Sequence, residues 1–262
     1  MKNGKLNIKP YVRCGGTLIN DQWVLTAAHC THNEAFDEPT EIGVLLGAHN
    51  LDDDEEEVKG DLTYRKVTNI TQHHEYDSQT NNYDFSLLKL DEPLDFTRIP
   101  NVRPICLPEK MDSSTEYSDY HKVSAIVTGW GSTQPRGRYD KVAPDAFSTV
   151  LRESTDLIVM TNTNCQNKYE YARKEITEQM LCASSKSNQD SCQGDSGGPL
   201  IAKKNSSDSY ELIGVVSWGI GCGLSASYPD VYARVTDVMD WIEVIAKTNT
   251  ASKQNICPKQ HQ

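Results

Sequence analysis

The 262-residue sequence predicts an all-β fold, a barrel or a sandwich, with a helix near its C-terminus. Three observations point there. Short runs rich in β-branched and apolar residues recur along the chain, turn residues separate them, and helical spacing of apolar residues is sparse. At about 150 residues per domain the length allows one or two units, and one two-lobed domain accounts for it. No internal repeat of fixed period is visible.

Taken in order, strands are expected at 17–19, 23–28, 42–46, 86–90, 125–128, 157–160, 212–218 and 231–235, where Val, Ile, Leu and Thr suit a pleated, half-buried surface. A helix is expected over 164–173, followed by an extended stretch over 176–183. The last helix is expected over 237–246. There Val238, Trp241, Ile242 and Ile245 recur at helical spacing, Thr236 can cap the first turn, and Asp237 suits the positive end of the helix dipole. The acidic run Asp52, Asp53, Asp54, Glu55, Glu56 and Glu57 reads as a solvated loop, and the tail from Asn249 onward is polar apart from Cys257.

Composition excludes several classes of function. Hydrophobic residues make up 37% of the chain, and apolar runs such as 212–218 fall well short of the about 20 residues that span a bilayer. Lys and Arg number 26 against 37 Asp and Glu, a net charge of −11 that argues against nucleic acid and anionic membrane as partners. Basic substrates or Ca²⁺ fit better. Eight cysteines without a CxxC zinc pattern predict a disulfide framework, hence an oxidising compartment and a secreted protein. Met1, Lys2, Asn3, Gly4 and Lys5 contain no apolar core of a secretory signal, so the signal is expected to have been removed or the N-terminus to be incomplete.

One segment carries chemistry of a recognisable kind. In Asp190-Ser191-Cys192-Gln193-Gly194-Asp195-Ser196-Gly197-Gly198-Pro199 a serine sits among glycines, so backbone N–H groups can approach a substrate carbonyl closely. Serine alone is a poor nucleophile and needs a histidine base oriented by a buried carboxylate. Thr26-Ala27-Ala28-His29-Cys30 supplies the histidine at the end of an apolar strand, and Asn82-Tyr83-Asp84-Phe85-Ser86 supplies the aspartate at the start of another. His73-His74-Glu75 is a poor metal site, because adjacent side chains on a strand point to opposite faces.

With these segments in the order His, Asp, Ser, the chain resembles the trypsin-like serine proteases of the chymotrypsin family. Cys14-Gly15-Gly16-Thr17-Leu18-Ile19, Thr128-Gly129-Trp130-Gly131, Ser217-Trp218-Gly219 and Tyr228-Pro229-Asp230-Val231-Tyr232 match family segments in the same order, from Cys14 to Ile245. Gly47-Ala48-His49-Asn50 and the Cys106 segment resemble arthropod extracellular cascade proteases, clip-domain enzymes among them.

The resemblance implies two six-stranded antiparallel β-barrels and a C-terminal helix, with the first barrel incomplete at its N-terminus. A catalytic domain is expected over 1–248, with lobes at about 1–107 and 120–235 and a tail at 249–262. It implies Ser196 as nucleophile, His29 as general base and acid, Asp84 as the group fixing the imidazole tautomer, and the amides of Gly194 and Ser196 as the oxyanion hole. Asp190, Ser217, Trp218, Gly219, Gly221 and Asp230 are the expected substrate-binding residues. Ser217 to Gly219 offer an edge on which a peptide pairs by β-augmentation. Asp190 implies cleavage after Arg or Lys, and Asp230 stands where typical trypsins have glycine, facing into the pocket or turned away from it.

The resemblance also pairs Cys14 with Cys30, Cys165 with Cys182, and Cys192 with Cys222. A further family bridge is replaced at both positions, by Ala125 and Ala202. Cys106 and Cys257 are left over, either pairing with each other or with Cys106 as the anchor of a disulfide-linked light chain. Asp195 is expected to pair with a new N-terminal ammonium after activation. No Ile-Val-Gly-Gly type segment precedes Cys14, so the chain as given is expected to be zymogen-like or inactive. A weak Ca²⁺ site, or a site for a basic partner, is expected in the acidic run, since Ala48 replaces the first family calcium ligand; no other cofactor is implied. Asn69 and Asn205 head glycosylation sequons. The leading reading is a serine endopeptidase of an extracellular proteolytic cascade, acting on protein or peptide substrates and controlled by protease inhibitors. The alternative is a non-catalytic homologue acting as a binding or cofactor protein.

Overall fold

The computed structural model describes residues 14–31, 42–52, 62–110, 120–134, 137, 146–203 and 209–246. Within them the chain forms two antiparallel sheets. The first half gives β1 (Thr17–Leu18), β2 (Trp23–Thr26), β3 (Gly43–Leu46), β4 (Thr63–Gln72) and β5 (Ser86–Leu90), arranged β1-β2-β5-β4-β3. The second half gives β6 (Ser124–Gly129), β7 (Arg152–Met160), β8 (Met180–Ser185), β9 (Pro199–Lys203), β10 (Tyr210–Trp218) and β11 (Asp230–Arg234). These six close into a barrel in the order β10-β11-β8-β7-β6-β9. The first sheet shows five strands and is curled but open among the described residues, consistent with the expected double-barrel fold whose first barrel is incomplete.

Burial on both faces marks the central strands. In β5, Leu87 and Leu88 face Leu25 and Val24 of β2 across the register, and all four are buried. The ten-residue β4 is absent from the sequence expectation because Thr63–Gln72 carries mostly polar side chains, none of them buried, with no apolar stripe. Tertiary pairing with β5 on one side and β3 on the other makes it a strand. β9 was also missed, being five residues long and opening on proline directly after the serine loop.

Other boundaries shift for local reasons. The strand expected to reach residue 28 stops at Thr26, because Ala28–Cys30 turn into a 3₁₀ segment in which the Thr31 amide donates to the Ala28 carbonyl. The expected helix over 164–173 is α1 (Asn162–Tyr169), followed by a 3₁₀ turn over Glu170–Ala172. Its cap is Thr161, whose hydroxyl accepts from the Asn164 amide. At the C-terminus a 3₁₀ turn over Val235–Val238 precedes α2 (Met239–Ala246). Thr236 does not cap that helix: its hydroxyl is buried and makes no hydrogen bond.

Three expected disulfides are formed, Cys14–Cys30, Cys165–Cys182 and Cys192–Cys222. Ala125 and Ala202 stand directly opposite each other across β6 and β9 with no solvent exposure. Cys106 is itself disulfide-bonded, which corrects the expectation of a free anchor for a light chain; its partner is not among the described residues. Cys257, Asn205, Asp53, Asp54, Glu55, Glu56 and Glu57 lie outside those residues.

The two sheets meet through one apolar cluster. Leu25, Phe85 and Leu87 from the first sheet pack with Leu212, Val215 and Ala233 of the barrel and with Val238 and Ile242 from the C-terminal helical segment. Phe85 is fully buried there and sits next to Asp84. Truncating a buried phenylalanine removes its transfer energy and leaves a cavity, so Phe85→Ala is expected to lower unfolding stability by about 3–5 kcal/mol. Denaturant unfolding checks this, and a loss under about 1 kcal/mol would mean that the seam collapses around the gap.

Candidate active site

The site lies where the two sheets meet. Asp84 precedes β5 and has no solvent exposure. Its carboxylate accepts three hydrogen bonds: Oδ1 from the His29 amide at 2.8 Å, and Oδ2 from His29 Nδ1 at 2.7 Å and the Ser217 hydroxyl at 2.6 Å. His29 is thus held at backbone and ring by one side chain, while the adjacent Cys30 is tethered to Cys14. With Nδ1 as donor, Nε2 is the acceptor nitrogen; it lies 3.8 Å from Cys30 Sγ. Burial, the largest influence on His29, disfavours the imidazolium, but the hydrogen bond and charge of Asp84 together outweigh it and raise the pKa above 6.5.

The serine loop is pressed against the strand that leads to His29. The Gly15 amide donates to the Ser196 carbonyl at 2.7 Å, and the Gly197 amide donates to the Val216 carbonyl at 2.8 Å. Gly197 has a φ of 78°, and a Cβ there would lie 2.2 Å from Thr26 Oγ1, so only glycine fits. Gly194 also has positive φ, at 99°. Among the described residues neither the Gly194 nor the Ser196 amide donates to a protein acceptor, and Ser196 Oγ makes no hydrogen bond to His29. Such contacts are often loose without substrate.

Asp195 points the other way, into the barrel. Oδ1 accepts from the Gly131 amide at 2.8 Å and Oδ2 from the Cys192 amide at 2.9 Å. Gly129 and Gly131 make room for it: a Cβ on either would fall within 2.4 Å of a carboxylate oxygen. Among the described residues no cation pairs with it. Burial raises its pKa, against the pull of the two amides.

Asp190 and Asp230 come together beneath the loop. Asp190 accepts from three successive amides, Gly223 at 2.7 Å, Leu224 at 3.1 Å and Ser225 at 3.0 Å. Asp230 turns inward. Its Oδ2 accepts from the Ser191 amide and hydroxyl, both at 2.7 Å, and from the Tyr232 hydroxyl at 3.3 Å. Its Oδ1 lies 3.5 Å from where a Gly219 side chain would begin. Burial first and the charge of Asp190 second push the Asp230 carboxyl up to about 7, against the hydrogen bonds from Ser191. Two carboxylates with these surroundings cannot both ionise freely.

Ser217 and Trp218 end β10 and the exposed Gly219 follows, while the Cys192–Cys222 bridge ties the serine loop to the segment carrying Gly221. Ser217 was expected only as part of a substrate edge, and its bond to Asp84 was missed because 133 residues separate the pair. Ser191 and Tyr232, which anchor Asp230, were missed likewise; each lies within two positions of a residue singled out in the sequence.

The metal readings gain no geometry. Cys14, His29 and Cys30 cluster, but the two sulfurs are bonded to each other. The expectation that His73 and His74 diverge is corrected: both lie beyond β4, and their rings stack at 4.7 Å. Buried His73 packs on Tyr83 and Trp241, and burial, with the neighbouring His74 adding to it, lowers its pKa to about 4.

The family model for trypsin matches residues 2–242. Coagulation factor XI from Bos taurus is 38% identical over 230 residues, which cover 87% of this chain and 32% of that protein. The chain therefore spans about a third of the length of this curated relative.

Two ionisations test the site. By NMR the His29 midpoint is expected above 6.5 in the parent and below it in Asp84→Asn, where burial acts without the carboxylate charge; equal midpoints would break the pairing. Asp230 carries a carboxyl raised in the fold, so its ionisation costs stability, absent below its unfolded pKa of 3.8 and fully present above about 7. Asp230→Asn is expected to gain on the parent as pH rises from 4 to 8, by an amount on the order of 4 kcal/mol. A pH-independent difference in unfolding free energy would contradict the inward carboxyl.

Proposed function

The chain belongs to the trypsin family of serine proteases, and from that premise we propose that it is an endopeptidase cutting after Lys or Arg through an acyl-enzyme. The observation that carries the reading is the fully buried Asp84 carboxylate bonded to His29 Nδ1, which leaves Nε2 as the base beside the loop of Ser196. Ser196 Oγ attacks the scissile carbonyl while Nε2 takes its proton. The amides of Gly194 and Ser196, not committed to protein acceptors, receive the oxyanion. His29 then protonates the leaving amine, the C–N bond breaks, and water repeats the sequence to release the acid and restore Ser196.

Asp190 and Asp230 supply the preference for a basic side chain. A Lys or Arg entering the pocket relieves the repulsion between them, whereas an apolar side chain would bury the pair uncompensated. A substrate strand would pair along Ser217 to Gly219. Disulfides support an extracellular setting, and likeness to a coagulation factor supports a role in a proteolytic cascade with protein substrates and inhibitors. The resting state is read as zymogen-like, because Asp195 is held by two amides and by no cation among the described residues.

A fluorophosphonate probe followed by peptide mapping is expected to mark Ser196, more strongly in the activated form of the protein. The same form should hydrolyse peptides after Lys and Arg, and Asp230→Gly should relax that choice. Absence of labelling in the activated form would favour the binding-protein reading, and efficient cutting after Phe or Leu would overturn the pocket.

A further inference from the structure

A cleft of ≈ 290 Å³ opens beside Trp218 and Gly219, lined among the described residues by Asn81, Lys174, Gln193, Trp218, Gly219 and Ile220, with Gly137 and Gly221. Its charge is opposite to that of the rest of the molecule. The chain carries a net −11, yet among the described lining residues there is no carboxylate and the charged side chain is an ammonium. Lys174 Nζ sits 5.8 Å from the centroid of the Trp218 ring, where the negative face of the indole holds a cation.

That placement is built by the backbone. Arg173 leaves the 3₁₀ turn with a left-handed φ of 55°, which redirects the chain. Gln166 on α1 then clamps the segment, donating from Nε2 to the Lys174 carbonyl at 3.0 Å and accepting at Oε1 from the Ile176 amide at 2.7 Å. Tyr169 packs edge-on against Trp218 at 5.1 Å and fixes the indole. Among the described residues no carboxylate lies within ion-pair distance of Lys174, so its charge is directed at whatever enters the cleft.

We infer that the cleft over Trp218 is a subsite for an acidic side chain lying upstream of the basic residue at the cut. This rests on the endopeptidase reading given above and adds a substrate class to it: segments in which Asp or Glu precedes Lys or Arg by one to three residues. Lys174 gives the cleft a positive charge, whereas Asp190 and Asp230 give the pocket beneath the serine loop a negative one. A peptide of matching polarity is attracted at both places, and one with a second basic residue upstream is repelled at Lys174.

The test is binding and turnover measured in parallel. Fluorescent peptides with one Lys at the cut and Asp, Ala or Lys at each of the three positions before it are titrated by anisotropy against the activated protein carrying Ser196→Ala. The acidic peptide is expected to bind on the order of threefold tighter than the alanine peptide, the scale of an exposed ion pair, and the preference should fade in high salt. Lys174→Arg should keep the order, Lys174→Met should level it and Lys174→Glu should invert it. Equal dissociation constants in the parent, an order unchanged in Lys174→Glu, or no peptide binding would overturn the subsite. The endopeptidase reading is scored separately, by turnover of the same peptides with Ser196 intact. A parent that binds in the expected order without cutting retains the subsite and loses the protease.

Discussion

A carboxylate without solvent contact is tolerable in a fold only when hydrogen bonds replace the water it has lost, and Asp84 meets that requirement with donors from two sheets. Two come from His29, beyond the end of β2, and one from Ser217 in β10, so the most demanding buried charge is satisfied only when the first sheet and the barrel are docked. The apolar seam of Leu25, Phe85, Leu87, Leu212 and Val215 brings them together without direction; the carboxylate fixes the register of that contact. Geometry at His29 is thereby a consequence of tertiary assembly rather than of any local segment.

The acidic groups of the site divide by how they are compensated. Asp84 has three donors, one of them a histidine. Asp190 has three amides at one rim of the pocket, and Asp195 has two amides in a niche that Gly129 and Gly131 leave open. Asp230 has the Ser191 donors and Tyr232, yet it is buried beside Asp190 and is therefore the group whose charge state is least secure. On the endopeptidase reading, a cationic side chain entering beside Asp190 and Asp230 would offset the repulsion between them.

The β-rich fold and the candidate positions of His29, Asp84 and Ser196 were legible in the sequence because each is marked locally. Glycines surround Ser196, an apolar run ends at His29, and Asp84 opens a strand of buried leucines. What was illegible depends on distance or on tertiary rescue. β4 has no apolar stripe and exists because β3 and β5 flank it. The Ser217 bond to Asp84 bridges 133 positions, and Lys174 reaches Trp218 from a different element altogether. Thr236 had the chemistry of a cap and the spacing of one, but the chain spends that turn in a 3₁₀ segment and buries the hydroxyl.

Ala125 and Ala202 meet face to face inside the barrel, where the strands close by packing and backbone pairing alone. The Cys192–Cys222 link lies instead between the serine loop and the neighbouring pocket wall. Redox chemistry therefore acts on the two parts of the molecule unequally. The link at Cys192 and Cys222 bears on how the serine loop sits against the pocket wall, whereas β6 and β9 carry no covalent tie to each other and the buried Cys165–Cys182 link holds α1 to β8.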